Sequence, residues 1–441
     1  MTFQLLSFAS AMKSVGGILL AIVILLAMVT IHEFGHYIAG KILGFKINEF
    51  AVGFGPAIFK KRSKKTGELF ALRVIPLGGY CAFDGEDFDE DEETKKEETD
   101  ENQAPFGELF EKENDGSRVE VTQDMDKNEP TMSALSKSDK DEFVYPEPKG
   151  KRFTDQAPWK RIIVLIAGAT MNYLLALFLI VLMFITVGRP VNQVVKQKPT
   201  DEFAALPNVS ETYETGLQTG DIILEVEGKT IYLVTDYQKV LDGKKRGDIV
   251  EILVLRDGKE KIVEVALIED AKFQNMSDTA TLLYSLGIAT RNEVDGELQT
   301  TRGGGLYTYQ QKENFFEAFG HSFVYSFKIG GTVLRSLGEL LTGKLGIDSV
   351  GGPITTIKVT SQAASNGYDS FLNIASFIGV NLAVFNLLPV PALDGSKVIF
   401  CLIEWIRKKP VNRKVETIIH FIGIIAIFGF AILVDLLQLF A

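Results

Sequence analysis

His32, Glu33, Phe34, Gly35 and His36 form an HExxH pattern. Side chains four apart on a helix project from one face, so His32 and His36 can reach a single metal ion. Imidazole nitrogen suits zinc. Glu33 is not needed as a ligand; beside the ion it can take a proton from an attacking water as general base. Zinc lowers the pKa of a coordinated water to about 7, which makes hydroxide available at neutral pH. The chain has only four histidines, and two of them stand here. They sit in an apolar run that is uncharged from Val15 to Ile31 and continues to Gly40. Ionisable groups in such a run are costly to bury and point to function.

A catalytic zinc takes three protein ligands and keeps one position open. The candidate for the third is Asp394, in the stretch NLLPVPALDG from Asn386 to Gly395. Pro389 and Pro391 must interrupt a helix. An interrupted membrane helix is tolerated where its freed backbone groups face protein or water, as in a site. The competing reading is an ordinary helix stop, with Asp394 as N-cap of the next segment, GSKVIFCLIEW.

The elements that must position these residues are membrane spans. A second uncharged run, Ile162 to Val187, follows Lys151, Arg152, Lys160 and Arg161. A third runs from Phe371 to Val390. A fourth runs from about Ile418 to Leu437, after Arg407, Lys408, Lys409, Arg413 and Lys414. A cleaved signal peptide competes for the first run, since Lys13 precedes it, but no good small-x-small cleavage site follows. Basic flanks mark the cytoplasmic side. Four spans then place both termini and residues 190–370 outside.

Between the spans the composition changes. Residues 44–80 read as hairpins, with a basic turn KKRSKKTG between strand-like runs. The tract GEDFDEDEETKKEETDENQ opens an acidic insertion, 84–150, expected to be a disordered cytoplasmic loop without chemistry. It also carries much of the acid behind the formal net charge of -11. No strongly basic nucleic-acid face is visible. The two cysteines, Cys81 and Cys401, form no disulfide framework. ETGLQTGDIILEVEGKTI and VEILVLRDGKEKIVEVALI give short strands around Gly-Asp turns. Phe315 to Leu341 reads as an amphipathic helix, lying on the membrane or against the β domain.

The fold class that follows is a multi-span α-helical membrane protein of about four transmembrane helices. It carries a membrane-associated β-hairpin region and an inserted extracytoplasmic β-rich domain. The expected division is 1–83 for the first span and hairpin, 84–150 for the acidic insertion, and 151–189 for the second span. Residues 190–295 form the β domain, 296–370 the amphipathic helix and linker, and 371–441 the last two spans.

HEFGH in a first span, PLGGY after it and NLLPVPALDG in a late span together resemble the site-2 protease family. Within it, the chain resembles the bacterial regulator-of-sigma-factor type with a PDZ insertion, carried by ETGLQTGDIILEVEGKTI. The resemblance implies a zinc metalloprotease of the bacterial plasma membrane that cuts inside transmembrane segments. Its substrates would be single-span proteins already trimmed of their outer domain, such as anti-sigma factors or signal-peptide remnants. It implies zinc ligation by His32, His36 and Asp394, with Glu33 as acid/base. It further implies that Asn386 helps to bind the substrate backbone or the intermediate. The hairpin region, with Gly78 and Gly79 of PLGGY, would hold substrate as an added strand, which requires a locally unwound helix. A permuted PDZ topology would put the carboxylate-accepting loop near Leu286, Gly287 and Ile288, a triplet that also reads as an ordinary strand with a kink. The acidic insertion departs from the family pattern.

Two other classes make different demands. A non-enzymatic PDZ-bearing adaptor predicts a broken metal set, and here the set is whole. A transporter with a midplane metal site predicts repeated halves with matching interrupted spans. This chain has one interrupted segment, near Pro389.

Overall fold

The computed structural model describes residues 2–86, 145–196, 216–276, 278–294, 297–302, 304–346 and 350–440. Residues 87–144 of the acidic insertion lie outside the described residues. Helix α1 (Thr2–Leu43) leads into strands β1 (Ile47–Arg62) and β2 (Leu69–Phe83). Helix α2 (Pro158–Thr186) begins at a proline, whose missing N–H is harmless in a first turn.

A β-rich unit follows. It contains β3 (Arg189–Lys196), β4 (Ile222–Val226), β5 (Lys229–Thr230), α3 (Val234–Leu241), β6 (Ile249–Arg256) and β7 (Lys259–Ala266). It continues through α4 (Thr279–Ser285), β8 (Thr290–Val294), β9 (Glu297–Arg302) and β10 (Gly304–Gln311). The chain then runs through helices α5 (Phe315–Leu341), α6 (Pro353–Asn366), α7 (Tyr368–Asn386), α8 (Asp394–Arg407) and α9 (Arg413–Phe440).

Four helices among the described residues are long and apolar enough to cross a membrane: α1 from Val15, α2, α7 and α9 to Gln438. In hydrocarbon a backbone must satisfy its own polar groups, and a helix does so within one segment. The third span ends at Asn386 rather than Val390, because Pro389 and Pro391 have no N–H to return to the preceding turn. Helix α2 is the hub, packed against α1, α5, α7 and α8. Lipid tails are as apolar as leucine, so these contacts rest on close van der Waals packing rather than on removal from water. Gly35 shows how close: a Cβ there would fall 2.4 Å from the carbonyl oxygen of Ala167.

Strands β1 and β2 fold back on each other more than once. Phe50 faces both Cys81 and Phe70, and Ala51 faces both Tyr80 and Ala71. Residues 49–52 are thus flanked on both sides, with register slips near Gly53 and Gly55, both at positive φ. Phe45, Ile47, Phe83 and Phe153 bury the base of this element against α2. Its outer half exposes Phe54, Ile58, Phe59, Val74 and Ile75.

The β-rich unit is an antiparallel sheet of order β10-β3-β4-β6-β7, with β5 on β4. Its core gathers Ile223, Val226, Tyr237, Leu241, Val250, Ile252, Val254 and Val265. Strand β10 pairs with β3 along its whole length, from Gly304 opposite Lys196 to Gln311 opposite Arg189. The sheet therefore extends past the expected boundary at residue 295. The expected carboxylate-accepting loop is not available. The N–H groups of Leu286, Gly287 and Ile288 bond the carbonyls of Leu282, Tyr284 and Leu283, and the Leu286 and Ile288 side chains fill the core.

Of the two expectations for helix α5, the structure shows packing against the β unit. One face packs on α2 and the β unit through Tyr325 against Phe184 and Tyr232, and through Lys328, 2.8 Å from Asp236. The other face exposes Phe315, Phe316, Phe319, Phe327 and Leu341.

Candidate metal centre

Helix α1 presents His32 and His36 one turn apart, both buried. Asp394 is the first residue of α8, after the turn made by Pro389 to Leu393. The chain packs Gly395 so tightly there that a Cβ would lie 2.3 Å from the Leu388 carbonyl oxygen. Nε2 of His32 and Nε2 of His36 are 3.2 Å apart. Asp394 Oδ2 lies 3.0 Å from the first and 3.3 Å from the second. Three ligands of one tetrahedral zinc, each about 2.0–2.1 Å from it, stand about 3.3–3.4 Å from one another. The observed triangle has that size. Asp394 Oδ2 is buried, and despite these short approaches its angles make no hydrogen bond. A buried carboxylate oxygen without a hydrogen-bond partner among the described residues, converging on two imidazole nitrogens at this spacing, fits a shared cation. The residues present therefore fit zinc.

The rings are fixed from α2. Nδ1 of His36 donates to the Val164 carbonyl oxygen at 2.8 Å, since a carbonyl can only accept. That leaves the Nε2 lone pair for a metal, an arrangement typical of ligating histidines. A Cβ on Gly168 would lie 2.3 Å from His36 Nε2 and 2.8 Å from His32 Cε1, so only glycine leaves room for both rings. Beside His32 Nδ1 stand two amides, Asn172 Nδ2 at 3.4 Å and Asn386 Nδ2 at 3.3 Å. Asn172 Oδ1 is buried without a hydrogen-bond partner among the described residues. A half-turn of that amide exchanges its N and O, so that Oδ1 accepts from His32 Nδ1–H and frees Nε2 for a metal.

Glu33 lies between this centre and the strand pair. A Cβ on Gly79 would come 3.2 Å from Glu33 Cγ and 2.9 Å from the Ala51 carbonyl oxygen. Gly78, at φ +125°, packs against the Phe54 ring. Residues 79–82 pair with 49–52 along one edge; among the described residues their other edge pairs with no strand.

The remaining ionisable groups of the late helices face other partners. Glu404 pairs with Arg161 at 2.7 Å. Asp435 accepts from Ile354 N and Thr355 N at the start of α6. His321 bonds Glu313, and His420 accepts from Ala392 N. Sequence reasoning missed Asn172, Gly168 and the Val164 carbonyl. An amide inside the uncharged run Ile162–Val187 was the available signal for Asn172.

The chain resembles known proteins along most of its length. The model of peptidase family M50 matches residues 20–430. The chain is 29% identical to zinc metalloprotease RasP of Bacillus licheniformis, over 90% of this chain and 92% of the relative. It is 28% identical to the regulator of sigma-W protease RasP of Bacillus subtilis, over 91% and 93%. With zinc metalloprotease RasP of Oceanobacillus iheyensis it shares 26%, over 90% and 92%. The chain belongs to peptidase family M50, the site-2 proteases, and is a zinc-dependent metalloprotease with four helices fit to cross a membrane.

Proposed function

We propose that this protein hydrolyses peptide bonds within the bilayer, inside the transmembrane segments of single-span proteins that have already lost their outer domain. The carrying observation is the convergence of His32 and His36, in a helix fit to cross a membrane, with Asp394 just past the proline break that follows another. These three residues would hold zinc. When bound, the ion supplies a Lewis acid for the scissile carbonyl and brings the pKa of water down to about 7.

Glu33 takes the proton of the attacking water and passes it to the leaving amine. The Asn386 amide, beside His32, offers a donor to the substrate carbonyl or to the intermediate. The unpaired edge of residues 79–82 runs next to Glu33, and an extended substrate can join it as a further strand. A helix hides its amides, so the substrate must unwind locally before it is cut. Gly79 lets that edge lie close against Glu33, and Gly78 before it packs under the Phe54 ring.

The β-rich unit reads as a PDZ-like filter outside the membrane that screens untrimmed substrates. The Bacillus subtilis relative, named as a regulator of sigma-W protease, favours anti-sigma-factor-like substrates, with signal-peptide remnants of the same single-span form beside them. The family resemblance favours a multi-pass protein of the bacterial plasma membrane, and basic residues between the spans favour residues 190–370 outside.

The test is reconstitution in lipid vesicles with a pre-trimmed single-span peptide, followed by mass spectrometry of the products. Cuts should fall within the apolar segment, stop on chelation and return with zinc. Products cut only in the flanking polar regions would refute cleavage within the bilayer.

A further inference from the structure

The turn that delivers Asp394 is gripped from outside by α9. Ala392 has φ +80°, a conformation that residues with a Cβ rarely adopt. Pro391 before it has no N–H. The Ala392 N–H donates to Nδ1 of His420 at 3.2 Å. One turn further along α9, Gly423 meets the same dipeptide: a Cβ there would lie 2.4 Å from Pro391 Cβ and 2.6 Å from its carbonyl oxygen. His420 and Gly423 are three residues apart and so share a helix face. The His420 ring also leans on Phe400 of α8, with centroids 5.8 Å apart. Helix α9 is otherwise thinly packed, with 11% of its most apolar stretch buried. Its grip on Pro391 and Ala392 is therefore a specific contact rather than part of a general core.

We infer that His420 is a positioning residue for Asp394: together with Gly423 it clamps the Pro391–Ala392 turn and so fixes the carboxylate that completes the metal triad. The inference rests on the reading of Asp394 as a ligand. To accept from Ala392, His420 keeps Nδ1 unprotonated and carries its proton on Nε2, which is buried and bonds nothing among the described residues. Without an acceptor at that point, only the Gly423 contact on α9 still opposes relaxation of the Ala392 backbone, and Asp394 moves with it.

The test uses the full-length protein purified in detergent. Zinc affinity is read by chelator competition, and ligand geometry by the visible spectrum of the cobalt-loaded form. His420→Leu keeps bulk but removes the acceptor; zinc affinity should fall about 10- to 100-fold, the usual effect of losing a group that orients a ligand. His420→Asn puts an amide oxygen near the Nδ1 position and should return affinity and spectrum close to wild type. Ala392→Gly tolerates positive φ unaided, so in the His420→Leu background it should recover most of the loss. Gly423→Ala reaches the same turn without touching His420, and should also weaken zinc. Wild-type zinc affinity in His420→Leu, or an Asn variant as weak as the Leu variant, overturns the clamp. If His420→Leu does not fold, an unchanged affinity in Gly423→Ala overturns it. Asp394→Ala is measured alongside. Retained zinc there sinks the ligand reading, whereas lost zinc there with normal His420→Leu sinks the clamp alone.

Discussion

Nδ1 of His36 lies 2.8 Å from the carbonyl oxygen of Val164, 128 positions along the chain. The contact ties α1 to α2 and sets which ring nitrogen of His36 faces the metal centre. A metal site is only as defined as the groups that orient its ligands. Helix α2 supplies those groups as a backbone carbonyl, an amide and a glycine gap, and none of them is charged.

Gly168→Ala should separate folding from metal binding. Alanine favours a helix interior by about 1 kcal/mol over glycine, so α2 itself gains. Yet the new Cβ would fall 2.3 Å from His36 Nε2, within the space of both rings. Normal yield and thermal stability are expected, with zinc affinity and turnover down about 10- to 100-fold. Chelator competition beside a melting curve checks it, and full zinc affinity would mean that the rings have room to shift.

Glu33→Gln should keep zinc and lose catalysis. The substitution preserves shape beside Gly79 and leaves the three converging atoms of His32, His36 and Asp394 untouched. It removes the proton acceptor, which costs about 10²- to 10⁴-fold in rate. Metal analysis and product formation are measured on one preparation. Wild-type turnover would remove Glu33 from the reaction.

Asp394→Ala should lose both metal and activity. Two neutral imidazoles leave zinc below the three protein ligands that catalytic sites use. Glu404→Ala and Asp435→Ala serve as controls, because the first carboxylate pairs with Arg161 and the second caps α6. Both controls should retain zinc. One zinc per chain in Asp394→Ala, with loss in either control, would place the third ligand elsewhere.

Orientation in the membrane is open to cysteine labelling in intact cells. The native thiols are poor competitors: both are buried, Cys401 is pushed up to about 11, and Cys81 is pushed higher still by burial. Lys259→Cys, exposed at the start of β7, should react with an impermeant reagent, and Glu92→Cys should not. The opposite pattern would invert the proposed topology.

Length, apolarity and spacing were enough to read four spans and a pair of histidines on one helix face. These are local periodicities, and the backbone obeys them wherever the chain goes. The prolines at 389 and 391 marked a break before Asp394 for the same reason, since a missing N–H acts within one turn. What met His32 and His36 was a tertiary matter. Asn172, Gly168 and the Val164 carbonyl reach them across more than a hundred positions, and no local pattern encodes such a distance. The same holds for His420, whose sequence neighbourhood offered no polar partner, while the fold gives it the N–H of Ala392. The sheet runs on to Gln311 because β10 closes against β3, a pairing of segments that strand-like composition cannot match to each other. The likeness to a permuted PDZ domain put a ligand loop near Leu286, Gly287 and Ile288, where the letters alone read as a strand with a kink. Their N–H groups are consumed by the end of α4, and only the packed structure decides where a backbone donor is used.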